Sequence, residues 1–230
     1  MPRVALTTSA DRAPDLAAIA VAHGLQPVTL PCIEVVPAPG AVLEAARRSV
    51  AEADWLMVTS ARTVGCLWPQ GGLPGIEVAA VGPRTAAAVA RAGGEVTLLG
   101  GFDGASMISE LSELVEGKFV SFPHGRGSDL TKVSVLERAA RSVSTWEVYS
   151  ARPIPPALNP VEAVAFGSPS SVEGWFQSRG LQDIVVGAIG DTTGAALSEH
   201  GQHAYVVPER PDYAELLERL SAKVRERDEV

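Results

Sequence analysis

Two hundred and thirty residues are enough for one large or two small domains, and 46% apolar with 20% charged residues exclude global disorder. A formal charge of −8 argues against binding nucleic acid through a broad basic field. No apolar run approaches the roughly 18 residues of a membrane span, and Val4-Ala5-Leu6 runs straight into Thr7, Thr8 and Ser9, which is no secretion leader.

In chain order, residues 4–8 predict a strand, 13–23 a helix stopped by Gly24, and 27–30 a second strand. After a linker rich in Pro and Ala come a helix over 41–53, a strand over 55–58 and a helix opening near Ala61. A strand over 77–81 leads to a helix over 84–92 that Gly93-Gly94 stops, then to a strand over 96–99. The alternation continues with helix 105–115, strand 119–122, helix 130–140 and strand 144–149. The last third reads as strand 163–166, helix 170–178, strand 184–188, helix 192–200, strand 204–207 and helix 213–225. Strands interleaved with helices of about three turns predict βαβ units around parallel sheets, an α/β fold.

The chain repeats itself. Val58-Thr59-Ser60-Ala61-Arg62-Thr63-Val64 matches Phe166-Gly167-Ser168-Pro169-Ser170-Ser171-Val172, and Ala80-Val81-Gly82-Pro83-Arg84-Thr85-Ala86 matches Ala188-Ile189-Gly190-Asp191-Thr192-Thr193-Gly194. Ser60 to Gly82 and Ser168 to Gly190 are each 22 residues apart. One copy lies mid-chain and the other near the end, so the two are not simple halves. The arrangement expected is two similar flavodoxin-like α/β domains. One is discontinuous, residues 1–33 plus 154–230, and the other, 38–147, is inserted into it. Residues 34–37 and 148–153 read as two linker strands, a narrow connection that would permit hinge motion.

Each repeat places hydroxyls and glycine where a strand ends and a helix begins. There, main-chain N–H groups and the helix dipole favour anions, and ligands of open parallel sheets bind. Ser60, Ser168, Gly82 with Thr85, and Gly190 with Thr192 and Thr193 occupy such points, plain helix capping being the alternative for each hydroxyl. Together they predict a site for a ligand with several carboxylates or phosphates. Arg62, Arg84 and Arg126, the last in Gly125-Arg126-Gly127, would add positive charge, while His124 reads as a loop residue. Screening beyond about 8–10 Å lets such a site coexist with a net negative chain. Cys32 and Cys66 form no CxxC pair, as expected of core thiols in a cytoplasmic protein. Four scattered histidines offer no zinc-ligand spacing, so no metal is expected.

The ordered set VTSARTV, AVGPRTAAAV, EVYSARP, AFGSPSSV, AIGDTTGAAL and VPERPDYAELLERL, behind an opening LTTSADRAPDLA and HGLQPVTLPCIEVVP, resembles the uroporphyrinogen-III synthase family over essentially the whole chain. The resemblance implies the discontinuous two-domain architecture with an active site in the cleft between domains. It implies a cytoplasmic lyase of tetrapyrrole (haem, sirohaem or cobalamin) biosynthesis that needs no cofactor. Its reaction would cyclise hydroxymethylbilane to uroporphyrinogen III, with loss of water and inversion of ring D. By the same resemblance, Tyr149 of EVYSARP is the catalytic proton donor, and Ser60, Arg62, Thr85, Ser168, Thr192 and Thr193 contact substrate carboxylates.

Two departures from the family pattern remove positive charge. Thr8-Ser9-Ala10 stands where Thr-Arg-Pro is frequent, and Ser128-Asp129 follows the glycines where a basic residue is usual. The competing expectation is a non-catalytic two-domain protein that binds a polycarboxylate tetrapyrrole. Neither nucleic acid nor membrane is an expected partner, and a monomer is the default, because no heptads are visible.

Overall fold

A computed structural model describes residues 1–100 and 104–228. Residues 101–103 and 229–230, which fall within the predicted segments 38–147 and 154–230, lie outside the described residues. The first elements are β1 (Arg3–Leu6), α1 (Ala13–Ala22), β2 (Gln26–Thr29), β3 (Ile33–Pro37), α2 (Gly40–Glu52), β4 (Trp55–Val58) and α3 (Ala61–Leu67). Next come β5 (Glu77–Val81), α4 (Gly82–Arg91), β6 (Leu98–Gly100), α5 (Gly104–Ser112), β7 (Phe119–Gly125), α6 (Val133–Ala139) and β8 (Ser142–Pro153). The chain closes with β9 (Ala163–Phe166), α7 (Pro169–Phe176), β10 (Val185–Ala188), α8 (Asp191–Glu199) and α9 (Tyr213–Asp228). It divides into two compact units, Met1–Val35 with Ala151–Val230, and Val36–Ser150.

The first unit is built on a sheet of order β2-β1-β9-β10, every pair parallel. Both faces are covered, which is why β9, Ala-Val-Ala-Phe, is buried along its whole length. Val4, Leu6, Ala163 and Ala165 face Leu16 of α1 and Leu216, Leu217, Leu220 and Val224 of α9. Ala5, Val164, Phe166 and Val186 face Val172 and Trp175 of α7 and Leu197 of α8. The period-2 alternation of the strands thus supplies two cores from one sheet.

The second sheet has the order β3-β8-β7-β4-β5-β6, of which β7, β4, β5 and β6 lie wholly in the second unit while β3 and β8 run across its bounds. The pairs β8–β7, β7–β4, β4–β5 and β5–β6 are parallel. β4, Trp-Leu-Met-Val, is its fully buried centre. Leu56 and Val58 pack with α2, α3 and α4 through Val50, Val64 and Val89. Trp55 and Met57 pack with α5 and α6 through Met107, Leu111 and Leu136.

The sequence repeat aligns β4 with β9 and β5 with β10, and the two sheet orders then correspond over four strands, with β3 left without a counterpart. β7 and β8 of the second unit occupy the places of β1 and β2 in the first. The place of β6 falls to Val206, which bridges Gly187 in parallel. The units are cyclic reorderings of one plan.

Several predicted elements are corrected. The strand expected over 204–207 is reduced to the Val206 bridge: Val206 donates to Val186 and accepts from Ala188, and Pro208, with no N–H, gives the ladder nothing to continue on. The strand expected over 4–8 ends at Leu6, where the Thr7 hydroxyl turns to the Ala165 carbonyl at 2.7 Å. Helix 130–140 starts only at Val133, because Asp129 Oδ1 accepts the Thr131 N–H at 2.9 Å and forms a turn instead. β8 is twelve residues long and absorbs the predicted linker segment 148–153.

Candidate functional site

In the second unit the chain leaves β4 for β5 and β6 on one side, then returns to β7 and β8 on the other. The carboxyl ends of β4 and β7 therefore flank a switch point, where open α/β sheets leave a crevice. A cavity of about 370 Å³ lies there, with Thr59, Ser128, Asp129 and Lys132 around it and Ile108 and Phe122 among its walls. The Asp129 carboxyl is held below its usual range, first by its hydrogen bonds to Thr131, with Lys132 adding to them. Lys132 restores a positive charge close to the place where Ser128-Asp129 had removed one.

Beside this crevice Ser60 is the N-cap of α3, in extended conformation, its Oγ accepting the Arg62 N–H at 3.2 Å. Gly82 opens α4 at φ 74°, a left-handed conformation that a side chain would strain, so a glycine is required here. Thr85 is buried, 4% exposed, whereas Arg84 is exposed.

Arg126 and Tyr149 are brought together. The Arg126 N–H donates to the Tyr149 carbonyl at 2.8 Å, and its guanidinium Nε donates to Glu147 Oε1 at 2.8 Å. Tyr149 is half-buried. His124, expected in a loop, is instead buried within β7, its ring tilted against Phe122 at 5.4 Å. Glu147 is a residue that sequence reasoning missed, although its spacing of two from Tyr149 on a strand was the available signal.

In the first unit the switch point falls between β1 and β9. Thr7, Thr8 and Ser9 follow β1 and are all buried. Ser168 caps α7 through a reciprocal box: its Oγ accepts the Ser171 N–H at 3.3 Å, and Ser171 Oγ accepts the Ser168 N–H at 3.2 Å. Gly190 caps α8 in fully extended conformation, Thr192 is exposed, and Thr193, the repeat partner of Thr85, is likewise buried. The Tyr213 phenol lies against Gly167, with the Arg12 guanidinium 4.9 Å from its ring centroid. Among the described residues no cluster of three His, Cys, Asp or Glu side chains is arranged for a metal, and no helix is long and apolar enough to cross a membrane.

A family model described as uroporphyrinogen-III synthase HemD matches residues 14–218. The chain is similar in structure to the uroporphyrinogen-III synthetase of Helicobacter pylori, with a TM-score of 0.68 and 18% identity, over 97% of this chain and all of that one. It is also similar to a mutant uroporphyrinogen III synthase of the extremely thermophilic bacterium Thermus thermophilus, with a TM-score of 0.58 and 19% identity, over 98% of this chain and all of that one. At these identities the likeness establishes the fold, α/β with parallel-dominated sheets. No curated protein matches.

Proposed function

The chain belongs to the uroporphyrinogen-III synthase family, and from that premise we propose how its own residues perform the family's reaction. The reaction is that of a cyclising lyase of tetrapyrrole biosynthesis: hydroxymethylbilane closes to uroporphyrinogen III, losing water and inverting ring D. The leaving hydroxyl needs a proton, and its departure makes an azafulvene cation. The substituted α-carbon of ring D attacks this cation to form a spiro intermediate, and fragmentation and reclosure then invert the ring. Unassisted closure gives isomer I, so the protein's chief task is to hold the bilane folded for attack at the substituted carbon, a contribution of positioning.

Tyr149 is the proton donor in this reading, a general acid for the departing hydroxyl. Support comes from the motif EVYSARP, in which Tyr149 matches the family's tyrosine, and from its place, since the main-chain bond from Arg126 fixes the Tyr149 backbone at the carboxyl edge of a parallel sheet. The motif match carries the assignment. Ser60, Arg62, Gly82, Thr85 and Arg126 of one unit, and Ser168, Gly190, Thr192 and Thr193 of the other, are the loops that hold acetate and propionate groups.

The strand order β2-β1-β9-β10 is that of flavodoxin-like sheets in its first four places, which supports reading each unit as such a domain. The β3–β8 pair is then the two-stranded linker. A cytoplasmic monomer completes the reading.

The test generates hydroxymethylbilane in situ, adds the protein, oxidises, and separates porphyrin isomers I and III. Type III in proportion to protein is the expected result. Type I alone, with tight binding of a tetrapyrrole, would give the role of a binding protein to this chain.

A further inference from the structure

We propose that Gly125 is a positioning residue for Tyr149, and that the side chain missing at 125 is the seat of the phenol. The proposal rests on the reading of Tyr149 as proton donor. A Cβ built on Gly125 would lie 2.5 Å from Tyr149 Cζ, 2.7 Å from Cε2 and 2.7 Å from Oη, and these are the three nearest atoms it would meet. Gly125 is not among the glycines with positive φ, so space and not backbone conformation demands glycine here.

The strand register explains the approach. β7 and β8 pair His124 with Glu147 and then Gly125 with Tyr149, so Val148 is left over as a bulge. Unbroken register would set Val148 opposite Gly125. The extra residue re-aims the strand and sets Tyr149 there instead, while Val148 is fully buried.

The Gly125 peptide has little freedom to retreat. Its carbonyl accepts the Ser128 hydroxyl at 2.8 Å, the Ser128 N–H at 3.2 Å and His124 Nδ1–H at 2.9 Å. The His124 ring is buried against Phe122, and the next N–H, that of Arg126, is bonded to Tyr149 itself. An added methyl group at 125 therefore displaces what can move, the far end of the half-buried tyrosine. The substitution falls on the phenol and leaves the backbone in place, so it acts on catalysis before it acts on the fold. Misplacement of a reacting group by about 1 Å costs on the order of 100-fold in rate.

The experiment compares Gly125→Ala, Tyr149→Phe and the double variant in the isomer assay, with unfolding midpoints measured alongside. The expected result is that Gly125→Ala lowers kcat by about 10- to 100-fold with KM little changed. Adding it to Tyr149→Phe should cost no more than about twofold, since no donor remains to misplace. If Tyr149→Phe is impaired while Gly125→Ala turns over normally, or if the two losses multiply, the positioning role is overturned and the proton-donor reading stands. A fully active Tyr149→Phe overturns both. Should Gly125→Ala lower the midpoint, Tyr149→Ala in the same chain should restore it, because the ring is what the new carbon meets. A midpoint that stays low in that background overturns the proposal.

Discussion

Thr63 and Ser171 hold the same place in the repeat, three residues after Ser60 and Ser168, yet their hydroxyls differ in fate. Ser171 bonds the Ser168 main chain in both directions, donating to its carbonyl at 2.7 Å. Thr63 Oγ1 is buried with no hydrogen-bond partner among the described residues. A buried hydroxyl without a partner forfeits its hydration for nothing, so Thr63→Val, which keeps the shape, should stabilise the protein by about 1 kcal/mol in urea unfolding. A loss of similar size would show that the hydroxyl has a partner. Cys32 gives a second residue-scale test. Its thiol is fully buried, and burial pushes its pKa from 9.0 up to about 12, with Arg179 pulling weakly the other way. The folded state thus holds the proton more tightly than the unfolded state. The associated stability is intact below pH 9 and declines towards pH 12, by about 1.4 kcal/mol per pH unit at most. Unfolding free energies of the wild type and of Cys32→Ala, measured from pH 8 upward, should therefore converge as pH rises, and parallel curves would refute the assignment.

At the scale of elements, the strands that the sequence displays most clearly are those buried on both faces. Trp55–Val58, Glu77–Val81 and Ala163–Phe166 appear with the bounds that their apolar runs predict. What local pattern failed to show depends on distant partners. The full length of β8 relies on pairing with β7 and β3, and the shortness of the Val206 bridge on what its neighbours lack. The candidate site divides in the same way. Ser60 and Ser168 are legible as cap residues from the sequence alone. The seating of Tyr149 on Gly125 is not, because a one-residue bulge at Val148 leaves no trace in periodicity. The caps also allow their structural role to be separated from substrate binding. Ser168→Asp keeps an oxygen acceptor for the N-terminus of α7, so its unfolding free energy should stay within about 0.5 kcal/mol of the wild type, whereas Ser168→Ala should lose about 1 kcal/mol. The new carboxylate would repel a polyanionic substrate, and KM should rise severalfold in Ser168→Asp alone. An unchanged KM would leave Ser168 with capping as its whole role.

For the whole molecule, the cyclic relation between the units makes a statement about folding that the order of elements alone does not. Each sheet has its own cores on both faces: Phe166 and Leu217 pack in one unit, Leu56 and Met57 in the other. Neither depends on the chain order in which its strands are supplied. Val36–Ser150 is continuous and should fold by itself. The other unit is cut in two by the insertion, but its ends are close, since the Ile154 N–H donates to the Cys32 carbonyl at 2.9 Å. A short Gly-Ser turn from Val35 to Ala151 should close it into a single folding chain. Each piece should then unfold cooperatively in urea with a slope about half that of the full protein, because the slope follows the surface exposed. Neither should direct closure to type III, because the proposed carboxylate-holding loops are divided between them: Ser60, Gly82 and Arg126 in one, Ser168 and Gly190 in the other. A piece without a cooperative transition would mean that its core is incomplete without the other. A single piece that yields type III would confine the reaction to one set of loops and remove the other from the substrate.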